Sequence, residues 1–336
     1  MKAAVLENVG EISVKQVPKP EPRANEALVK VFACGICATD RRLYRTGKTI
    51  KPPVILGHEI SGFLEETASQ IANVSSGDPV CIEPSIYCGE CDFCRVGRYN
   101  LCKNYRIIGL QENGGFAEYV KAPVECVYPI PRNISKEDGC LIEPLAVVVH
   151  SLRLAGLSSL DNVLVLGSGV IGLLCVKLAR RITLGKIIAL TGRSEMKAKK
   201  ALEFGADRAV ISKEEDPVEE IIKETGGKGV DVIFEAAGVE DTLKVAFRTL
   251  RPGGKLISLG VFDKALNIDF NPVVFFEYQI AGSNAYSYGD FKKAIELVSE
   301  NRVDLSSLIS QEIPLERLEE TLKERDPEKI KIIVKP

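Results

Sequence analysis

Residues 162–172 read Asn-Val-Leu-Val-Leu-Gly-Ser-Gly-Val-Ile-Gly, an apolar run that enters a glycine-rich turn and leaves it into a second apolar segment. The spacing of Gly167, Gly169 and Gly172 is G-x-G-x-x-G, and no other feature constrains the fold as strongly. The pattern alone is weak; what gives it weight is a strand before it and a helix after it. In that setting the glycines allow a tight turn and let the backbone approach a pyrophosphate at the helix N-terminus. Gly167, Gly169, Val170, Ile171 and Gly172 are therefore the expected dinucleotide cradle.

The flanking sequence agrees. Strands are expected over 186–190, 209–211, 231–235 and 255–259, and helices over 144–154, 170–181, 194–204, 217–223 and 242–250, the last stopped by Arg251-Pro252-Gly253-Gly254. Strands alternating with helices predict a doubly wound parallel sheet. Residues 1–145 differ: they are rich in Val, Gly and Pro and carry short alternating runs such as Ala27–Ala33 and Phe116–Lys121. That texture predicts a β-rich domain. Helices over 291–300 and 315–323 and an apolar strand over 329–335 follow, the strand returning to the first domain. The expected organisation is α/β, with a β-rich domain at 1–145, a dinucleotide domain at 146–285 and a return segment at 286–336.

The 10 cysteines sharpen the first domain. No signal-peptide core opens the chain and no long uncharged apolar stretch occurs, which points to the cytoplasm and away from a disulfide framework or a membrane. A formal charge of -2 with no basic run argues against nucleic acid. Cys88, Cys91, Cys94 and Cys102 form a cluster with two-residue spacers and turn-like flanks. Such a closed set of four thiolates suits a structural zinc, here stapling a loop at about 84–105 that has no core of its own.

A second, mixed set lies upstream. Gly35-Ile36-Cys37-Ala38-Thr39-Asp40 and Gly57-His58-Glu59 bring one Cys, one His and one carboxylate, donors suited to a zinc with an open position. A His-Glu pair by itself is more often a surface or structural feature. Glu143, in Leu141-Ile142-Glu143-Pro144-Leu145, lies between apolar runs and needs a partner. It is either a fourth ligand, an acceptor for water on the metal, or an acid favoured by a helix N-terminus.

The cofactor discriminator sits about 20 residues beyond the glycine turn. The sequence there is Leu190-Thr191-Gly192-Arg193-Ser194, with no acid to accept the ribose hydroxyls. Arg193 matches a 2′-phosphate in charge and fork geometry, and Lys197 adds charge one helical turn on. NADP is the expected cofactor, with NAD as the alternative.

With these motifs in this order, the chain resembles the zinc-containing medium-chain alcohol dehydrogenases over its whole length, and within them the polyol, sorbitol and threonine dehydrogenases. The resemblance implies a GroES-like catalytic domain and a Rossmann domain with the site in the cleft. It implies a catalytic zinc on Cys37, His58 and Glu59, with Glu143 bound directly or through water, and a structural zinc on Cys88, Cys91, Cys94 and Cys102. It makes Thr39 the hydroxyl that starts a proton relay, and it implies a homodimer or homotetramer. Arg42 stands where many relatives carry a histidine, Leu43 replaces an aromatic residue of sorbitol dehydrogenases, and Ala285-Tyr286 replaces their Arg-Tyr pair. These departures count against sorbitol itself. Thr39-Asp40-Arg41 is similar to archaeal glucose dehydrogenases. The expected activity is oxidation of a secondary hydroxyl of a polyol, sugar or sugar acid to a ketone. L-threonine 3-dehydrogenase and a glucose dehydrogenase-like enzyme are the rival activities, and a non-catalytic nucleotide-binding regulator is the rival of another class.

Overall fold

A computed structural model describes residues 1–324 and 326–336, with the side chain of Tyr288 left aside. Two compact units emerge, Met1–Pro144 with Ser287–Pro336, and Leu145–Tyr286.

The first unit is built on a seven-stranded sheet. Its path runs Val127–Pro129, Pro79–Ile82, Glu59–Thr67, Glu26–Gly35, Lys331–Lys335 and Ile309–Pro314, and Tyr119–Pro123 also pairs with Glu26–Gly35. Glu26–Gly35 is buried at Ala27, Leu28, Val29, Val31, Ala33 and Cys34, as befits a central strand with neighbours on both sides. Its register with Glu59–Thr67 sets Gly35 opposite Glu59 and Cys34 opposite Ile60. The two segments that carry the candidate metal donors therefore leave the sheet side by side. Lys331–Lys335 joins the same strand from its other edge, pairing Ile333 with Gly35 and Val334 with Cys34.

The second unit is a six-stranded parallel sheet in the order Arg208–Ile211, Ile187–Thr191, Val163–Leu166, Val230–Glu235, Leu250–Ser258 and Gln279–Gly282. This is the doubly wound strand order of dinucleotide-binding domains. Val163, Leu164, Val165 and Leu166 are fully buried, which explains an unbroken apolar run where a half-exposed strand would alternate.

Three local differences from expectation have physical causes. The expected helix ends at Thr249, but Arg251-Pro252-Gly253-Gly254 lies inside the next strand, Leu250–Ser258, instead of before it, where the register jumps from Val230↔Leu250 to Val232↔Lys255. Gly253, at φ 71, supplies the left-handed residue that this bulge needs. The helix expected from 144 begins at Ile142 and ends at Ala155, with Gly156 at φ 59 after it. Glu143 thus lies in its first turn. The sixth strand, Gln279–Gly282, was not expected, because it is a short, largely exposed edge without a readable alternation. Among the described residues no helix is long and apolar enough to cross a membrane.

Candidate active site and metal centres

The strand Glu26–Gly35 gives way to the helix Ala38–Thr46, whose N-cap is Cys37. Asp40, at the third helical position, accepts a 2.8 Å hydrogen bond from the Cys37 N–H and so locks the turn that aims the thiol. Ligand atoms of Cys37, His58 and Glu59 all lie within 4.8 Å of one another. His58 and Glu59 are buried and Cys37 is half-buried, an arrangement with one open side. Glu143 is not part of that group of three. Thr39 is half-buried on the same helix, two residues after Cys37.

Two residues that the sequence did not flag complete the centre. Asp40 is fully buried, and its Oδ1 lies 3.4 Å from Nδ1 of His58. A carboxylate beside one ring nitrogen leaves the other for a metal and fixes the ring. Burial opposes a charged His58, but Asp40 and Cys37 outweigh it and hold the imidazole well above its ordinary range. The only signal for Asp40 was its position three residues after Cys37. Lys331 is the other: its Nζ donates to Oε1 and Oε2 of Glu59 at 2.7 and 2.5 Å and to the carbonyl of Ile36 at 3.1 Å. No sequence signal joins residues 272 positions apart. Arg41 is engaged elsewhere, donating to the carbonyls of Thr321, Leu322 and Glu324 and tying this helix to the return segment.

The donor chemistry fits zinc. A thiol, an imidazole and a carboxylate are borderline-soft donors matched to it. Gly35 makes the carboxylate's position attainable, since a Cβ there would stand 1.9 Å from Glu59 Oε2.

Cys88, Cys91, Cys94 and Cys102 converge likewise within 4.8 Å. Sulfur–sulfur separations are 3.9 Å for Cys88–Cys94, 3.6 Å for Cys91–Cys94 and 3.5 Å for Cys88–Cys102. Gly89 and Gly97, at φ 75 and 76, turn the chain around them. The backbone N–H groups of Cys94 and Lys103 pull the Cys91 thiol below its ordinary range, while burial and the Cys91 sulfur push Cys94 above it. The lobe is anchored by Tyr99. Its hydroxyl donates to Glu83, and its ring stacks on Tyr87 with centroids 4.3 Å apart. Burial raises the Glu83 carboxyl to about 7.

Replacing Cys91 with Ser is expected to remove one of four ligands and loosen the lobe. A loss of about 3 kcal/mol corresponds to roughly 5–10 °C in Tm. Differential scanning calorimetry with metal analysis checks this; an unchanged Tm sinks the stapling role.

In the second unit Gly167, at φ 105, follows Val163–Leu166, and Gly169 is the N-cap of the helix Val170–Ala179. A Cβ on Gly172 would lie 1.8 Å from the Gly167 carbonyl, so close packing of turn on helix demands glycine there. A Cβ on Gly169 would meet nothing within 4 Å, which leaves open space over the helix N-terminus for phosphates. Val170 and Ile171 open the helix. Arg193 is exposed after the strand Ile187–Thr191, and Lys197 follows in the helix capped by Ser194. Glu235, at the end of the fourth strand in sequence, is buried and accepts from Ala237 N, Gly238 N and Thr242 Oγ1, each at 2.9 Å. It organises its own turn.

Two family models match the chain. The family described as "Alcohol dehydrogenase GroES-like domain" matches residues 23–132, and that described as "Zinc-binding dehydrogenase" matches 170–300. Sorbitol dehydrogenase of Bacillus subtilis (strain 168) is 33% identical over 96% of this chain and 92% of its own. L-threonine 3-dehydrogenase of Pyrococcus furiosus is 35% identical over 82% of this chain and 80% of its own. A Sinorhizobium meliloti 1021 protein described as a zinc-binding dehydrogenase, solved with NADP bound, has 37% identity and a TM-score of 0.94, covering 100% of this chain and 99% of that one.

Proposed function

The chain belongs to the zinc-containing medium-chain alcohol dehydrogenases, in their polyol and sorbitol branch, and from that premise we propose that it oxidises a secondary hydroxyl of a polyol, sugar or sugar acid to a ketone, with NADP preferred over NAD. As a member it is an oxidoreductase acting on CH–OH groups. The observation that carries the proposal is the convergence of Cys37, His58 and Glu59 within 4.8 Å. The sorbitol dehydrogenase relative supports the polyol class, and Arg193 with the NADP-bound relative supports the cofactor.

In this reading Cys37, His58 and Glu59 are the donors for one zinc, with Glu143 bound to it directly or through water, and Cys88, Cys91, Cys94 and Cys102 hold a second. Zinc supplies Lewis acidity that lowers the pKa of a hydroxyl, and a nicotinamide supplies the hydride acceptor. The protein supplies the rest. Asp40 fixes the His58 ring. Thr39 accepts the substrate proton and passes it on. Arg42 cannot act as the next base, because a guanidinium keeps its proton near neutral pH; the proton leaves through ribose hydroxyls or water.

The test is reduction of NADP and of NAD against polyols, sugars, sugar acids and threonine, with and without a chelator. Chelator-sensitive turnover of a polyol or sugar is the expected result. Turnover of threonine alone would instead favour a threonine 3-dehydrogenase, the second reading, which the Pyrococcus furiosus relative supports.

The assembly we propose is a homo-oligomer built on a dimer. Among the described residues the strand Gln279–Gly282 ends the parallel sheet, with a strand paired on one side only. Ile280 is 40% exposed on it, and Phe270, Val274 and Phe275 are exposed nearby in sequence. An open apolar edge invites pairing with another chain, and a twofold axis makes that pairing antiparallel. Ile280→Lys is expected to shift the mass from dimer or tetramer toward monomer by light scattering. A monomeric wild type would remove the idea.

A further inference from the structure

The strand order of the parallel sheet reverses at one place. From Val163–Leu166 the chain steps outward to Ile187–Thr191 and Arg208–Ile211, then crosses to Val230–Glu235 on the other side of Val163–Leu166 and steps outward again. A ligand of such a sheet sits beyond the carboxyl ends of the strands at this switch. One wall of the crevice is the glycine turn at 167–172. The other is the turn Ala236-Ala237-Gly238 after the neighbouring strand. Leu166 pairs with Glu235, and the Ala236 N–H donates to the Leu166 carbonyl at 2.9 Å. The two turns pack on each other: a Cβ on Gly167 would stand 3.1 Å from Ala237 N and 3.2 Å from Ala237 Cβ.

Glu235 gives the second wall its shape. Its carboxylate is buried, and Oε1 accepts from Ala237 N, Gly238 N and Thr242 Oγ1, each at 2.9 Å. The first two bonds close the turn, and the third ties it to the helix Glu240–Thr249. Oε2 faces the loop after Leu250–Ser258, where a Cβ on Gly260 would stand 2.4 Å from it and 2.4 Å from Gly238 N. That loop is fastened too, since the N–H groups of Leu259 and Gly260 donate to the Glu235 carbonyl at 2.8 and 3.0 Å. The preceding Val232, Ile233 and Phe234 are apolar and buried. A carboxylate after them carries a desolvation cost that an apolar side chain would avoid, and the fixed turn is what offsets it.

We propose that Glu235 is a positioning residue for the nicotinamide half of the cofactor, holding the turn 236–238 as the wall that faces the glycine turn. This rests on the reading of 167–172 as a dinucleotide cradle. A sheet of this order is two mononucleotide-binding halves. Residues 163–211 form the half that takes the adenosine side, where Arg193 lies. Val230–Glu235 opens the other half, so its turn serves the nicotinamide side. Without the carboxylate, two turn N–H groups lose their acceptor and the wall moves, while the adenosine side keeps its contacts.

The experiment is calorimetric titration of the full chain with NADP and with 2′,5′-ADP, which carries the adenosine side alone. Melting temperatures are taken alongside. Glu235→Leu should lose about tenfold or more in NADP affinity while binding 2′,5′-ADP within about twofold of wild type. Glu235→Gln still offers one carbonyl oxygen to the three donors and should keep most of the NADP affinity. Gly260→Ala reaches the same wall with the acid intact. Its Cβ falls on Oε2 and Gly238 N, so it should weaken NADP and spare 2′,5′-ADP, and it decides the matter if Glu235→Leu does not fold. For a wild type that takes NAD instead, NAD and 5′-AMP replace the two titrants.

A folded Glu235→Leu protein that binds NADP as wild type does overturns the proposal. An equal loss of 2′,5′-ADP in Glu235→Leu and Gly260→Ala does so as well, because it marks Glu235 as general support for the fold. A Glu235→Gln protein as weak as Glu235→Leu also overturns it, since the acceptor oxygen would not be what shapes the wall. In each of these cases a wild type that binds the dinucleotide leaves the cofactor reading intact. A wild type that binds neither NADP nor NAD defeats that reading together with this inference.

Discussion

Cys37→Ser should lower kcat/KM by about a thousandfold or more while leaving the melting temperature almost where it was. Serine replaces a soft thiolate by a hydroxyl that binds zinc poorly and carries no charge, so the Lewis acid is lost or misplaced. Three decades of rate correspond to about 4 kcal/mol of transition-state stabilisation. The fold has little stake in the sulfur. Cys37 is a half-buried N-cap, and the bond that locks the turn comes from its backbone N–H to Asp40. Serine is itself a favoured N-cap. Steady-state kinetics, metal content and thermal melting on one preparation check all three parts. Full activity at normal metal content would remove Cys37 from the site; a collapsed melting temperature would make it a structural residue.

Arg193→Asp is expected to reverse the cofactor preference. The residue is exposed just beyond the strand Ile187–Thr191, where adenosine-ribose contacts are made in this strand order. Arginine offers a 2′-phosphate a charge-assisted fork; aspartate repels that phosphate and accepts the two free hydroxyls of NAD. The ratio of kcat/KM for NADP to that for NAD should fall about 100-fold, because each partner gains or loses charged hydrogen bonds. Stability should not move. An unchanged ratio would mean that Arg193 points to solvent in the complex and that Lys197 or the backbone makes the choice.

Much of this protein was readable before its fold was seen, and the readable parts share a property. The glycine turn at 167–172, the cysteine lobe at 88–102 and the fully apolar strand Val163–Leu166 each act through residues within about a dozen positions of one another. Their chemistry is carried by spacing, and spacing survives in a sequence. The bulge at Arg251–Gly254 was misread for a related reason. Pro-Gly-Gly signals a break in regular structure, yet only the partner strand Val230–Glu235 shows that the break is absorbed inside a ladder. The edge strand Gln279–Gly282 escaped notice because an exposed edge has no burial pattern to print on its residues.

The sequence by itself determined which candidate donors exist: Cys37, His58 and Glu59 with Glu143 in one proposed set, four cysteines in another, and a glycine turn of the kind that takes a pyrophosphate. Tertiary structure decided which of those donors is engaged. Asp40 reaches His58 because the register of Glu26–Gly35 on Glu59–Thr67 brings the two loops together, and Lys331 reaches Glu59 because the returning strand pairs with the other edge of Glu26–Gly35 at the same end. The reason is physical. Ligand identity is a property of a side chain, whereas a buried charge is defined by its counter-ion, and chain folding alone brings that counter-ion from 272 residues away.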